Sequence, residues 1–209
     1  MARDRAGRPP RREFLGAVLA LPTVVLLPGS RAAAQSRTLA PTPSCVDRGT
    51  PTPPQTAGPF FKPRSPRRAS LIEAGMPGTR IVVEGTVLAT DCRPIPGALI
   101  DFWQADDRGT YDNTGFRLRG HQYTDELGRY RLETVVPGSY PGRTRHIHVR
   151  VQAPNQPLLT TQLYFPDEPG NRSDGIFRPE LVLTLLGAEN PKKAVFDFVL
   201  AVPASRPAG

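Results

Sequence analysis

The sequence predicts an all-β fold, an antiparallel sandwich preceded by a proline-rich arm. Three observations lead there. The 209 residues include 25 prolines and 19 glycines, and no long stretch keeps a helical period. Six short runs rich in β-branched and aromatic residues are separated by turn signals. One of them, His146 to Gln152, alternates strictly: Ile147, Val149 and Val151 fall on one side, His146, His148, Arg150 and Gln152 on the other.

The chain opens on a basic stretch (Arg3, Arg5, Arg8, Arg11, Arg12), and Arg11-Arg-Glu-Phe-Leu-Gly16 leads into an apolar run ending near Leu27. Ala32 to Ala34 supply small residues for cleavage. This layout, with its paired arginines, is that of a twin-arginine export signal over residues 1–34. The apolar run falls well short of the ~20 residues of a spanning helix, so no stable membrane span is expected once the signal is removed. A periplasmic or secreted destination follows.

Setting that segment aside changes the charge. The whole chain carries 27 basic and 19 acidic residues. The first 34 hold six and two of them, leaving 21 against 17, a net of +4. That excess is spread out, without the basic runs or interleaved aromatics of a nucleic-acid groove, so no nucleic-acid partner is expected.

Residues 35–79 read as the arm. Pro41, Pro43, Pro51, Pro53 and Pro54 preclude helix and central strand, and Phe60 and Phe61 offer aromatics to pin it to the domain. Cys45 and Cys92 are the two cysteines. In an oxidising compartment they can form one bridge from arm to first hairpin, with two separate thiols as the alternative.

The sandwich occupies 80–209. A β-branched run at 80–89 turns through Asp91 to Gly97 into a partner strand at 98–105. Residues 106–112 form a turn-rich loop expected to expose Tyr111. Further strands are expected at 129–134, 146–152 and 159–165, and a last one at 194–200. Most connections carry the Gly, Pro, Asp and Asn that tight turns require.

The His146/His148 pair offers two nitrogen donors on one strand face. Acid–base chemistry needs one histidine, not an alternating pair, and no nucleophile elbow accompanies them. Zinc would ask for a third histidine or a carboxylate. His121 lies in a polar, turn-like context and is expected to face solvent. Tyr111 and Tyr140 both sit at strand ends, and phenolate is a hard donor suited to a trivalent cation such as Fe(III). Spacing alone leaves metal site and ordinary packing both open.

These residues are also where the chain resembles the intradiol ring-cleavage dioxygenases, the family of catechol and protocatechuate 3,4-dioxygenases. The resemblance rests on Phe102-Trp-Gln-Ala105, Gly109-Thr-Tyr111, Pro137-Gly-Ser-Tyr140, Arg143-Thr-Arg-His-Ile-His148 and Gln162-Leu-Tyr164, in that order, and extends from about residue 55 to 198. It implies a prealbumin-like sandwich core. It makes Tyr111, Tyr140, His146 and His148 the ligands of a non-haem Fe(III), with Tyr140 the one that leaves when substrate arrives. Arg143 would stabilise charge developing on the substrate, Gln162 would support it, and Tyr164 would line the pocket. The implied reaction takes a catechol-type diol and O2 to a cis,cis-muconate-type diacid. Arg145 departs from the family's usual small residue or proline and is expected to alter charge near the pocket. A homo-oligomer, with the arm crossing between subunits, stays open.

The alternative is a non-catalytic module. Transthyretin-like and carboxypeptidase-regulatory-like sandwiches share the turn-forming run Gly85-Thr-Val, Pro96-Gly-Ala98, Gly128-Arg-Tyr130 and Pro137-Gly138.

Overall fold

The computed structural model describes residues 49–188 and 190–202. Residues 1–34, expected to be an export signal, and Cys45 lie outside the described residues. Cys92 is disulfide-bonded.

Among the described residues nine strands form two sheets. In order they are β1 (Arg80–Ala89), β2 (Leu99–Trp103), β3 (Arg119–Tyr123), β4 (Arg129–Val135), β5 (His146–Gln152), β6 (Leu159–Tyr164), β7 (Thr184–Leu186), β8 (Lys192–Val195) and β9 (Phe198–Leu200). One sheet has the order β4-β1-β8-β7, with β9 also on β1, and the other β3-β2-β5-β6. Two short 3₁₀ turns, Pro169–Arg172 and Pro179–Leu181, are the described helical elements. The antiparallel sandwich expected from the turn-rich composition is the architecture found, with β8 and β9 running parallel to β1.

The core is built by alternation. Ile81, Val83 and Val87 of β1, Ile100 and Phe102 of β2, Leu132 of β4, Ile147, Val149 and Val151 of β5 and Leu163 of β6 are all buried in one apolar cluster.

Two strand expectations need correction. The run 194–200 is two strands, broken where it crosses Gly85. A Cβ on Gly85 would lie 1.8 Å from the Phe196 carbonyl oxygen. The break is satisfied locally: Phe196 N–H donates to Glu84 O, and Thr86 N–H to Asp197 Oδ1. The second correction is β3, which sequence alternation did not reveal. Its core-facing positions, opposite Phe102 and Ile100 of β2, are Gly120 and Gln122: side chains of Arg68 and Leu71 from the arm fill the space at Gly120, and Gln122 Nε2 donates to Arg131 O of β4.

The described part of the arm crosses the outer face of the second sheet, from β6 towards β3 and on to β4. Gln55 N–H donates to Thr160 O, Thr161 Oγ1 to Pro53 O, Arg68 N–H to His121 O, His121 N–H to Pro66 O and Leu71 N–H to Glu133 O. Side chains of the arm pack here as well: at Gly120 an added Cβ would meet side-chain atoms of Arg68 and Leu71 at under 3 Å. Both faces of β5 are therefore enclosed, one by the core and one by the arm.

Candidate metal centre

The outer face of the second sheet carries polar residues in register. Trp103 of β2 and Gln162 of β6 are the cross-strand partners of His148, and Tyr164 is the partner of His146. Directly opposed residues share a face, so strand pairing alone places these side chains together. Trp103 stacks on the His148 ring with centroids 4.8 Å apart and planes 3° from parallel.

The tyrosines come from two loops that close over this row. Tyr111 follows a turn in which Asp106 Oδ1 accepts the N–H groups of Arg108 and Thr110. Tyr140 follows β4 after Pro137-Gly138. Gly109, at φ +82°, has no room for a side chain, since a Cβ would stand 2.3 Å from Ser139 O. Gly138 is equally confined against Gly109 N and Asp107 O, and its N–H donates to Asp106 O at 2.7 Å. These glycines let the loops touch backbone to backbone.

The result is a convergence of four donors. His146 Nε2 and His148 Nε2 are 3.1 Å apart, and the Tyr140 hydroxyl is 3.5 Å from His146 Nε2. The Tyr111 ring lies 5.9 Å from Tyr140 and 6.3 Å from His148, centroid to centroid. His146 Nδ1 is 2.7 Å from the Thr144 carbonyl, which requires the proton on Nδ1 and leaves the Nε2 lone pair free. Phe60, from the arm, stacks on Tyr111 at 4.3 Å, and Gly58 of the arm passes close over His148.

Burial keeps His146, His148 and Tyr111 neutral. Burial, with Arg143 nearby, lowers His146 from 6.5 to about 4. Burial, followed by His146 itself, pushes His148 well below its usual range. Burial, with the Tyr140 phenol adding, raises Tyr111 far above 10. The Tyr111 hydroxyl is buried without a hydrogen-bond partner. Orphaned buried hydroxyls are rare and point to a missing partner. Among the described residues no group of three or more His, Cys, Asp or Glu side chains is placed to hold a metal, and the phenol of Tyr140 stands beside the pair. Two imidazole nitrogens 3.1 Å apart match adjacent donors on one ion at bonds of about 2.1 Å. The residues present fit a hard, trivalent cation.

Beside the donors lies a second network. Arg143 Nε donates to Asp174 Oδ2 at 2.9 Å and its Nη2 donates to Gln162 Oε1. Tyr164 OH is 3.1 Å from Gln162 Oε1, and Gln162 Nε2 donates to Thr56 O at 3.0 Å. Burial opposes the charge on Arg143, but Asp174 outweighs it and the net direction is upward. Burial raises Tyr164 to about 12, against the pull of Arg143.

Tyr111, Tyr140, His146 and His148 thus come together, with Arg143, Gln162 and Tyr164 alongside. Three expectations change. Tyr111 is 7% exposed rather than presented to solvent, because Phe60 covers it. His121 is neither free in solvent nor near the donors, since its Nδ1 faces Ser65 O at 2.8 Å where the arm joins β3. Arg145 is ion-paired with Glu168 at 3.0 Å, so its charge is compensated. Sequence reasoning missed Asp174, Thr144 and Arg119. The buried Arg119 donates to Asp112 O and Phe60 O, joining the Tyr111 loop to the arm.

Comparison with known proteins identifies the family. A family profile described as Dioxygenase matches residues 56–202. The chain is 35% identical over 147 residues to a hydroxyquinol 1,2-dioxygenase from Rhizobium sp. (strain MTP-10005), covering 57% of this chain and 50% of that protein. It is 31% identical over 148 residues to a catechol 1,2-dioxygenase from Candida albicans, covering 57% and 49%. The chain spans about half the length of these curated relatives. Among solved structures, the dioxygenase domain of a dioxygenase–carbohydrate-binding protein fusion from Streptomyces sp. SirexAA-E is 53% identical, with a TM-score of 0.72, covering 74% of this chain and 100% of that one. With a profile match over well more than half of its length, and with its residues folded as theirs are, the chain belongs to the intradiol ring-cleavage dioxygenase family.

Proposed function

We propose that this chain is a non-haem Fe(III) intradiol dioxygenase that cleaves a catechol-type diol between its hydroxyl-bearing carbons, incorporating both atoms of O2 to give a cis,cis-muconate-type diacid. The observation that carries the reading is the convergence of two phenols and two imidazole Nε2 atoms at one point, with the Tyr111 hydroxyl buried and unpartnered. A non-catalytic module leaves that orphaned hydroxyl without explanation.

Tyr111, Tyr140, His146 and His148 would hold the iron. Two phenolates offset two of its three charges, which favours such a site in a partly buried setting. Iron, when bound, supplies the Lewis-acid and redox chemistry that makes a bound diol reactive toward O2. The two tyrosines differ in access: Tyr111 is buried under Phe60, whereas Tyr140 is half-buried. Tyr140 is accordingly the phenolate that gives way to substrate and accepts a hydroxyl proton on its oxygen. Arg143 stabilises negative charge developing on the diol. Gln162 holds Arg143, and Tyr164 steadies Gln162. The arm, through Gly58 and Phe60, excludes water from the donor side.

Export through residues 1–34 belongs to the same proposal. The disulfide at Cys92 supports an oxidising destination.

The test is direct. Protein expressed with iron should be red to burgundy and consume O2 with catechol, hydroxyquinol or protocatechuate, giving the intradiol product, and its colour should fade in Tyr140→Phe. A colourless, iron-free protein after iron-replete expression overturns the proposal.

A further inference from the structure

We infer that Asp174 is a positioning residue for the reaction proposed above, acting through Arg143. The inference rests on that reading of the site.

Asp174 lies just beyond the Pro169–Arg172 turn, far in sequence from the donors. Its side chain is 1% exposed, an uncommon place for a carboxylate unless it is fully engaged. It is engaged three times. Oδ2 accepts Arg143 Nε at 2.9 Å and Thr144 N–H at 3.1 Å, and Oδ1 accepts Ile176 N–H at 3.1 Å. Gln162 accepts from a second nitrogen of the same guanidinium, Nη2. A guanidinium on a long, flexible stem is therefore held at two of its three nitrogens, which fixes its plane while Nη1 takes part in neither contact.

The same carboxylate also touches the strand entry, through a backbone N–H that an amide oxygen at this position can accept equally. Thr144, whose N–H it accepts, presents the carbonyl that takes His146 Nδ1–H at 2.7 Å. Thr144 is held again through Oγ1, 2.9 Å from Asn171 Oδ1, and Asn171 Nδ2 donates to Phe165 O. The turn after β6 thus grips the segment entering β5 from outside. Asp174 is the one residue in it that contacts both the charged helper and the strand entry.

Opposite consequences are conceivable for a carboxylate beside Arg143. If it mainly neutralises the guanidinium, its removal should raise turnover. If it mainly orients it, removal should lower turnover. The double grip by Asp174 and Gln162 favours orientation, because effective electrostatic help requires a charge fixed before reaction.

The experiment is a double-mutant cycle on iron-loaded protein. Asp174→Asn keeps size and one carbonyl oxygen but removes the charge. Its kcat should fall about 10- to 100-fold, as for other outer partners of a metal site, with KM changed less than about 3-fold. Iron content and the visible band should stay as in the wild type. In an Arg143→Gln background the same change should alter kcat less than about 3-fold. Asp174→Glu, which retains the charge, should fall between wild type and Asp174→Asn, and it serves if the Asn variant does not fold. An equal loss in both backgrounds, an unchanged kcat or a gain in kcat overturns the inference. A wild type inactive on every diol tested would instead sink the proposed function, so the two failures are distinguishable.

Discussion

Gly109 and Gly138 pack backbone against backbone, and that contact brings Tyr111 and Tyr140, carried on separate loops, to one point. Gly109 sits at φ +82°, and an added Cβ would lie 2.3 Å from Ser139 O. Gly109→Ala is expected to cost about 1–3 kcal/mol, because both conformation and contact oppose a side chain. The loops should separate, and iron retention and the visible band should fall together. Denaturant unfolding and iron analysis of the purified variant check this.

Tyr111→Phe should separate stability from metal binding. The Tyr111 hydroxyl is buried and unpartnered. Without metal, its removal should stabilise the protein, by about 1 kcal/mol. With iron present the variant should bind more weakly and lose intensity in its visible band. Unfolding curves with and without iron decide it, and a metal-free variant markedly less stable than wild type would contradict the reading.

Acid should weaken the metal-free protein in a defined window. His146 falls from 6.5 to about 4 on folding, so between those values the unfolded chain binds the extra proton. Stability is then complete above about pH 6.5 and declines as pH drops toward 4. His148 shifts in the same direction. Chemical denaturation at about pH 7 and about pH 5 should show the loss, and His146→Gln should flatten the slope.

Arg119 is a buried cation whose guanidinium donates to Asp112 O and Phe60 O. Arg119→Met should destabilise by about 2–4 kcal/mol, since buried carbonyls lose their donors. Arg119→Lys should rescue little, because a single ammonium cannot reproduce the fork. Thermal unfolding of both variants is the measurement.

Much of this was legible in the order of residues. Alternation in His146 to Gln152 reports which side chains share a face, and the strand realises that division. Glycine and proline punctuation marks the turns and hence the sandwich. Less legible was anything created by chain segments far apart in sequence. The polar strand β3 shows no core-facing alternation because its inward positions are Gly120, where Leu71 of the arm supplies the apolar side chain, and Gln122, which bonds the β4 backbone. The run 194–200 is continuous in hydrophobicity but broken where it passes Gly85.

The sequence by itself determined the donor types, the pairing of His146 with His148 and the strand-rich fold, because these depend on side-chain chemistry and on periodicities of two residues. Tertiary structure alone decided that Tyr111 is buried, that His121 serves the arm, that Glu168 compensates Arg145 and that Asp174 holds Arg143. Each of those facts is a contact across 30 residues or more, or the product of one, apart from the shorter Arg145 pairing. Burial and charge compensation are properties of the space between segments, and no local pattern in the chain encodes them.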